Sequence, residues 1–312
     1  MKTSWKAYGM RQKRWQLLGL AAGIGALALA ALKLRRDRQV GRWQTRLENQ
    51  PVRTALITGA SSGIGRAYAL RLAALEFNVV LVARRADRLT ALAEECRLHF
   101  GVRSEVIVAD LSTPEGIEKV EQRIIRGDDI SFLVNNAGYS VFGDFAVVPV
   151  EDHLAMINCH ILASVRLCRA ALPGMLRRDS GAIVNVSSIG AYTPKPKDVT
   201  YGAAKNYLAR FSAGLQEELA GSQVRVQALA PGLTLTEMHD QPQYAEFRLK
   251  QRVPRWLWMT PDEVVYASLR SMGENQVICI PRLKNRLLAA AGQSGLTTLL
   301  LTTFGDFFQR PK

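Results

Sequence analysis

The sequence predicts an α/β protein, a doubly wound, Rossmann-type parallel sheet of seven strands in a single catalytic domain. Short apolar runs rich in Val, Ile and Leu alternate with helical patterns from residue 54 to residue 280, and strands separated by helices pair in parallel. The first run, Thr54–Ile57, opens into Thr58-Gly59-Ala60-Ser61-Ser62-Gly63-Ile64-Gly65 and then into a helical stretch, Arg66–Ala74. Strand, glycine-rich turn and helix in that order frame a phosphate-binding loop. Glycine lets the backbone approach a ligand, and the first amides of the helix face an anion. With 312 residues, 48% of them hydrophobic and 22% charged, the chain can bury one large core of this kind.

The remaining elements follow in order. Val79–Ala83 is a second buried strand and ends in Arg84-Arg85. In a dinucleotide fold this strand end meets the adenosine ribose, where an acidic residue binds the 2′-hydroxyl of NAD. Here Ala83 takes that place and arginines follow it, and a guanidinium fork suits a 2′-phosphate. The pattern therefore predicts NADP(H) over NAD(H). Arg88–His99 is a helix, and Ser104–Ala109 is a third strand leading to Asp110. Ser112 or Thr113 caps the next helix, which runs towards Arg126. Ile130–Val134 is the fourth strand and runs into Asn135-Asn136-Ala137-Gly138. Ile183–Val186 is the fifth, closing on Ser187-Ser188. A long helix spans Tyr201 to about Ala220. Val224–Leu229 is the sixth strand, ending in Ala230-Pro231-Gly232, and Gln276–Ile280 the seventh.

Tyr201 and Lys205 stand four apart in a helical pattern and so share a face. An ammonium beside a phenol favours the phenolate and equips the tyrosine to exchange a proton with a carbonyl or alcohol oxygen. Ser188 lies 13 residues upstream at the C-terminal end of a strand, where open α/β sheets bind ligands. Singly, these are a surface aromatic, a solvated charge and a turn residue.

Together with the glycine-rich turn they resemble the short-chain dehydrogenase/reductase family. The resemblance covers residues 52–281. It rests on Thr58–Gly65, Asn135-Asn136-Ala137-Gly138, Ser188, Tyr201-Gly-Ala-Ala-Lys205 and Pro231-Gly232, which stand in the family's order. It implies that Tyr201 is the general acid/base, that Lys205 lowers its pKa and holds the nicotinamide ribose, and that Ser188 orients the substrate oxygen. By the same resemblance Gly59, Ser61, Ser62, Gly63, Ile64 and Gly65 surround the pyrophosphate and adenosine ribose. Arg84, with Arg85 beside it, meets the 2′-phosphate, and Asp110 meets the adenine. Asn136 lies on the cofactor side of the sheet, Pro231 and Gly232 border the cofactor, and Thr236 lies near its carboxamide. One position departs from the family. In Met156-Ile157-Asn158-Cys159-His160-Ile161, His160 takes the place of the asparagine that completes the proton relay. It is either a relay residue able to titrate or a packed core histidine.

Outside this unit the sequence is basic and apolar. Residues 1–53 hold 12 of the 41 Lys and Arg and 2 of the 27 Asp and Glu, leaving 29 against 25 in the rest. The net charge of +14 thus does not describe the folded part, and nucleic acid is not an expected partner. The excess flanks Leu17–Leu32, sixteen residues without a polar side chain. A helix of that length spans roughly 24 Å, short of a ~30 Å hydrocarbon core. The chain is therefore divided into a membrane anchor and linker at 1–50, the catalytic domain at 51–281, and an apolar tail at 282–312 suited to an interface or a partner. The expected anchor is shallow or re-entrant, with the enzyme membrane-associated on the cytoplasmic side, and the alternative is a true span with the enzyme on the lumenal or periplasmic side; one short apolar segment excludes a channel. No CxxC or ligand-like spacing joins the four cysteines, so no structural metal is expected. Met238, Tyr244, Phe247, Trp256, Leu257, Trp258 and Met259 fall in the family's variable substrate segment and predict an apolar lid over a lipid, sterol, retinoid or acyl carbonyl or alcohol. A homodimer or homotetramer is the expected assembly. The rival class is a cofactor-binding regulatory or scaffold protein with impaired turnover.

Overall fold

The computed structural model describes residues 43, 45, 50, 52–240 and 249–293. The expected anchor at Leu17–Leu32, Tyr244 and Phe247 of the substrate segment, and the tail beyond residue 293 lie outside them. The seven strands are β1 (Thr54–Thr58), β2 (Asn78–Ala83), β3 (Ser104–Val108), β4 (Ile130–Asn135), β5 (Gly181–Val186), β6 (Val224–Leu229) and β7 (Ile278–Cys279). They form one sheet in the order β3-β2-β1-β4-β5-β6-β7, every pairing parallel. The strand order reverses between β1 and β4, and the crevice beyond their carboxyl ends is where such sheets bind ligands.

Helices cover both faces, so the central strands are buried throughout: all residues of β1, β4 and β5 are buried. This is why they read as continuous apolar runs rather than alternating ones. Alternate residues still serve different layers. Ala55 and Ile57 pack on the face holding Tyr68, Leu72 and Phe77, and Leu56 packs on the opposite face with Val80, Leu133 and Ile183. On the first face lie α1 (Gly63–Ala74), α2 (Ala86–Phe100) and α8 (Pro261–Gly273). A buried polar chain ties α1 and α8 to β6: the Tyr68 hydroxyl donates to Ser268 Oγ at 2.5 Å, Ser268 to Gln227 Oε1 at 2.5 Å, and Gln227 Nε2 to Ser271 Oγ at 2.8 Å. Each member is satisfied, the condition for such a chain to stabilise.

On the second face lie α3 (Pro114–Gly127) and a long helical run composed of α4 (Val150–Ile157), a π turn (Asn158–Leu162) and α5 (Ala163–Arg177). Among the described residues Val150–Arg177 is the one helix long and apolar enough to cross a bilayer. Leu167, Cys168, Ala171 and Met175 pack it into the core. Then α6 (Val199–Glu218) carries Tyr201 and Lys205 along β5 and β6.

Element edges differ from the sequence reading where local chemistry decides. The glycine-rich turn is shorter than expected, because α1 starts at Gly63 inside the motif. Thr113 is the cap of α3: its Oγ1 accepts from the Gly116 amide at 3.1 Å. The seventh strand shrinks to Ile278–Cys279, since only Ala228 and Leu229 of β6 pair with it. Before it, α7 (Leu249–Arg252) precedes α8; beyond it, α9 (Leu283–Gln293) packs on the short 3-10 turn Ile189–Tyr192. The start of the tail thus lies against the segment that follows Ser188. Asn285 is buried there and donates to the Pro281 carbonyl at 2.8 Å.

Candidate active site

A cavity of about 1390 Å³ opens at the carboxyl ends of the strands. It runs from the glycine-rich turn to Ser188, Tyr201 and Lys205. At one end the turn is fixed by Thr58 and Asn136. Thr58 Oγ1 accepts from the Asn136 and Ala137 amides, both at 2.9 Å, and Asn136 Nδ2 donates to the Thr58 carbonyl at 2.9 Å. Gly59 has φ +66°, and a Cβ there would come 2.7 Å from Asn136 Nδ2. A Cβ on Gly65 would stand 2.3 Å from the Gly59 carbonyl oxygen. Both positions need glycine for space, and Gly59 needs it for its backbone conformation as well. The Ser62 side chain makes no capping bond to α1 and there is no acidic residue in its first turn, so the helix presents its positive end to the cavity.

The two arginines after β2 part company. Arg85 lies over the turn: Nη2 donates to Ser61 Oγ at 2.9 Å and to Ser62 Oγ at 3.0 Å. Arg84 extends instead towards Asp110, 3.7 Å away. Asp110 is partly desolvated, yet bonds from the Ser112 amide and hydroxyl, with Arg84, hold its carboxyl below the usual range. Thr236 covers the turn, its methyl 2.9 Å from where a Gly63 Cβ would stand. Pro231 accepts from the Ile189 amide at 3.0 Å, and Asn285 fills the space beside Gly232. The glycine cradle, the positive helix end and Arg85 between two serine hydroxyls fit a dinucleotide carrying an extra phosphate.

At the other end Ser188, Tyr201 and Lys205 converge. Ser188 Oγ accepts from the Gly190 amide at 3.1 Å, which leaves its own proton to point at a ligand. A Cβ built on Gly190 would lie 3.4 Å from Ser188 Oγ and 3.9 Å from Tyr201 Cε1, so hydroxyl and phenol ring flank one methyl-sized space. Lys205 is buried; its ammonium donates to the Val186 carbonyl at 2.7 Å and stands 5.5 Å from the centre of the Tyr201 ring. Burial lowers its pKa to about 8. Ser187 Oγ donates to the Lys205 carbonyl at 2.6 Å, pinning α6 to the end of β5.

His160 sits in the middle of the π turn, a distortion frequent at functional sites. Its ring is 1% exposed and meets the Tyr201 ring edge-on at 5.7 Å. Nε2 lies within hydrogen-bond reach of both the Tyr139 carbonyl oxygen, at 2.8 Å, and the Tyr139 amide, at 3.2 Å, and Nδ1 has no hydrogen-bond partner. Burial, then the nearby Lys205 charge, holds the imidazole well below its usual range. The ring is neutral at ordinary pH and packs as a wedge: a Cβ on Gly138 would collide with Cε1 at 2.2 Å. The His160 carbonyl accepts from Ser164 Oγ at 2.7 Å. Asn158 points away and donates to the Ser112 carbonyl at 3.1 Å.

The expected lid divides. Trp258 and Met259 are core residues at 4% and 2% exposure, while Trp256 is 66% exposed. Met238 lines the cavity. The Thr234–Met259 bridge closes the base of the segment, with the Leu235 amide donating to the Met259 carbonyl at 2.9 Å. Sequence reasoning missed Arg88, Glu237 and Tyr139. Arg88 was detectable, as the third arginine within five residues. Glu237 carried no local signal, because its partners are about 150 residues away in the chain.

Comparison with known proteins agrees with this fold. A family model described as short chain dehydrogenase matches residues 53–246. A very-long-chain 3-oxoacyl-CoA reductase of Anas platyrhynchos is 35% identical over 70% of this chain and 68% of its own. An inactive hydroxysteroid dehydrogenase-like protein 1 of Homo sapiens is 32% identical over 74% of this chain and 64% of its own length. Among solved structures, a short-chain dehydrogenase from Sphingobium yanoikuyae in complex with NADPH superposes with a TM-score of 0.70 at 35% identity, covering 82% of this chain and 96% of that one.

Proposed function

The chain belongs to the short-chain dehydrogenase family, oxidoreductases that act on a CH–OH group with a nicotinamide cofactor, and from that premise we propose that it is an NADP(H)-dependent reductase of a hydrophobic carbonyl compound. The observation that carries this reading is the single cavity joining Arg85, Ser61 and Ser62 to Ser188, Tyr201 and Lys205. A bound NADPH supplies hydride to such a site. The protein's own residues do the rest. Ser188 Oγ, already accepting from the Gly190 amide, donates to the substrate oxygen. Tyr201 delivers the proton to that oxygen as the carbonyl becomes an alcohol, and takes it back in the reverse direction. Lys205 stabilises the phenolate left behind and holds the ribose. His160 acts as a neutral support for Tyr201.

Leu233, Met238, Val253 and Phe142 among the lining residues supply apolar wall, and the relative named for very-long-chain 3-oxoacyl-CoA reduction supports a long acyl substrate. Membrane attachment through residues 1–50, with the enzyme facing the cytosol, belongs to the same reading. On the described surface Trp256, Leu283 and Leu287 are 66%, 70% and 62% exposed, and the Lys284 ammonium lies 5.0 Å from the centre of the Trp256 ring. Such a mixture of aromatic, apolar and basic groups suits a lipid interface.

The test is NADPH oxidation by the full chain over a panel of long-chain 3-oxoacyl thioesters, sterol ketones and retinals. Turnover on one class is expected, lost in Tyr201→Phe with cofactor binding retained. Tight cofactor binding without turnover on any class overturns the reading and groups the chain with its inactive relative.

A further inference from the structure

Glu237 holds the arginines of the cofactor end. Its Oε2 accepts from Arg85 Nη1 at 2.8 Å, and its Oε1 accepts from Arg88 Nη1. The same Arg85 guanidinium donates through its other nitrogen to Ser61 and Ser62. The carboxylate therefore stands next to the one place in the cavity where a cation and two hydroxyls from the glycine-rich turn converge. It follows directly after Thr236, whose methyl covers Gly63, and it opens the short turn Glu237–Asp240. That turn carries Met238 and His239 to the substrate side, where His239 meets the Trp258 ring edge-on at 4.9 Å.

We propose that Glu237 is a specificity-determining residue for the cofactor: an anion built into the chain that competes with the 2′-phosphate for Arg85 and Arg88. This rests on the NADP(H) reading of the same site. A carboxylate and a phosphate dianion on one guanidinium repel each other, so binding of the phosphorylated cofactor displaces Glu237. The unphosphorylated cofactor leaves the ion pairs in place. Arg85 and Arg88, bonded to it in that order of effect, keep the Glu237 carboxyl below its usual range, so it is charged wherever the cofactor binds.

The experiment is calorimetric binding of NADP⁺, NAD⁺ and 2′,5′-ADP to the parent chain, Glu237→Gln and Glu237→Ala. Both variants are surface changes, and their melting temperatures are compared with the parent's. Exposed ion pairs are individually weak, so removing the competing charge should tighten NADP⁺ and 2′,5′-ADP by about 3- to 10-fold and NAD⁺ by less than about 2-fold. Unchanged or weaker NADP⁺ binding, or an equal shift for both cofactors, overturns the proposal. A parent that binds NADP⁺ no tighter than NAD⁺ overturns the underlying reading instead, so the two failures are read from different measurements.

Discussion

At the cofactor end of the cavity the chain is locked by its own backbone. Thr58 Oγ1, Asn136 Nδ2 and the Gly59 and Gly65 backbone fit each other with no room for a methyl group. The substrate end is assembled from pieces that arrive separately: the exposed Pro194–Lys197 loop, the Glu237–Asp240 turn, and Arg252 and Val253 at the end of α7. The cofactor is one molecule with fixed geometry, so backbone can specify it. The substrate end is bounded by side chains on short turns, which can vary without disturbing the sheet.

The largest effect expected from breaking this comparison is chemical. Tyr201→Phe should lower kcat about 100- to 10,000-fold, the usual contribution of a general acid, with cofactor affinity unchanged. A kcat within a few-fold of the parent would remove Tyr201 from the proton transfer. Next comes a matched pair of methyl additions. Gly65→Ala forces a Cβ to within 2.3 Å of backbone oxygen, and should cost at least about 1–3 kcal/mol of stability as an overpacked site, with at least tenfold weaker cofactor binding. Gly190→Ala meets only ordinary contacts, at 3.4 and 3.9 Å, and should leave melting temperature and cofactor affinity as they were while changing KM for substrate. Equal damage from both would show that the two ends are not held differently.

A smaller effect concerns charge. Arg85→Ala removes two hydroxyl bonds and the cation nearest the turn. Charged hydrogen bonds contribute about 1.5–3 kcal/mol, so NADPH affinity should fall by more than about tenfold while NADH affinity changes little. Arg84→Ala, whose guanidinium lies towards Asp110, should do less. The pH dependence follows from Lys205. Burial lowers its pKa to about 8, so in the free enzyme the ammonium is present below that pH and lost above it. Cofactor affinity should fall as pH rises through about 8, with proton uptake on binding above it, measurable by calorimetry in buffers of different ionisation enthalpy. The smallest change is expected from His160→Asn. The imidazole is already neutral, so kcat should fall only slightly, through looser support of Tyr201, and no ionisation in the pH profile should disappear.

The sequence by itself determined the sheet and the gathering of the glycine-rich turn, Ser188, Tyr201 and Lys205 around one cavity at its edge. Those features are written in local signals: apolar runs between helices, glycines where no Cβ fits, and residues four apart on one helix. Tertiary structure decided which arginine faces the turn, because Arg84 and Arg85 are adjacent and differ only in what lies opposite each, Asp110 or the two serines. It also decided that Trp258 and Met259 are core while Trp256 is surface, since a short turn offers no periodicity from which to read burial. His160 shows both sides. Its place in the sequence marked it as a departure, but only packing against Gly138, Tyr139 and Tyr201 made it a neutral wedge. Glu237 belongs wholly to the tertiary structure: a carboxylate about 150 residues from its arginines has no local pattern, and its pairing exists only because the parallel pairing puts the ends of β2 and β6 on the same rim of the sheet and the segment after β6 reaches back along it.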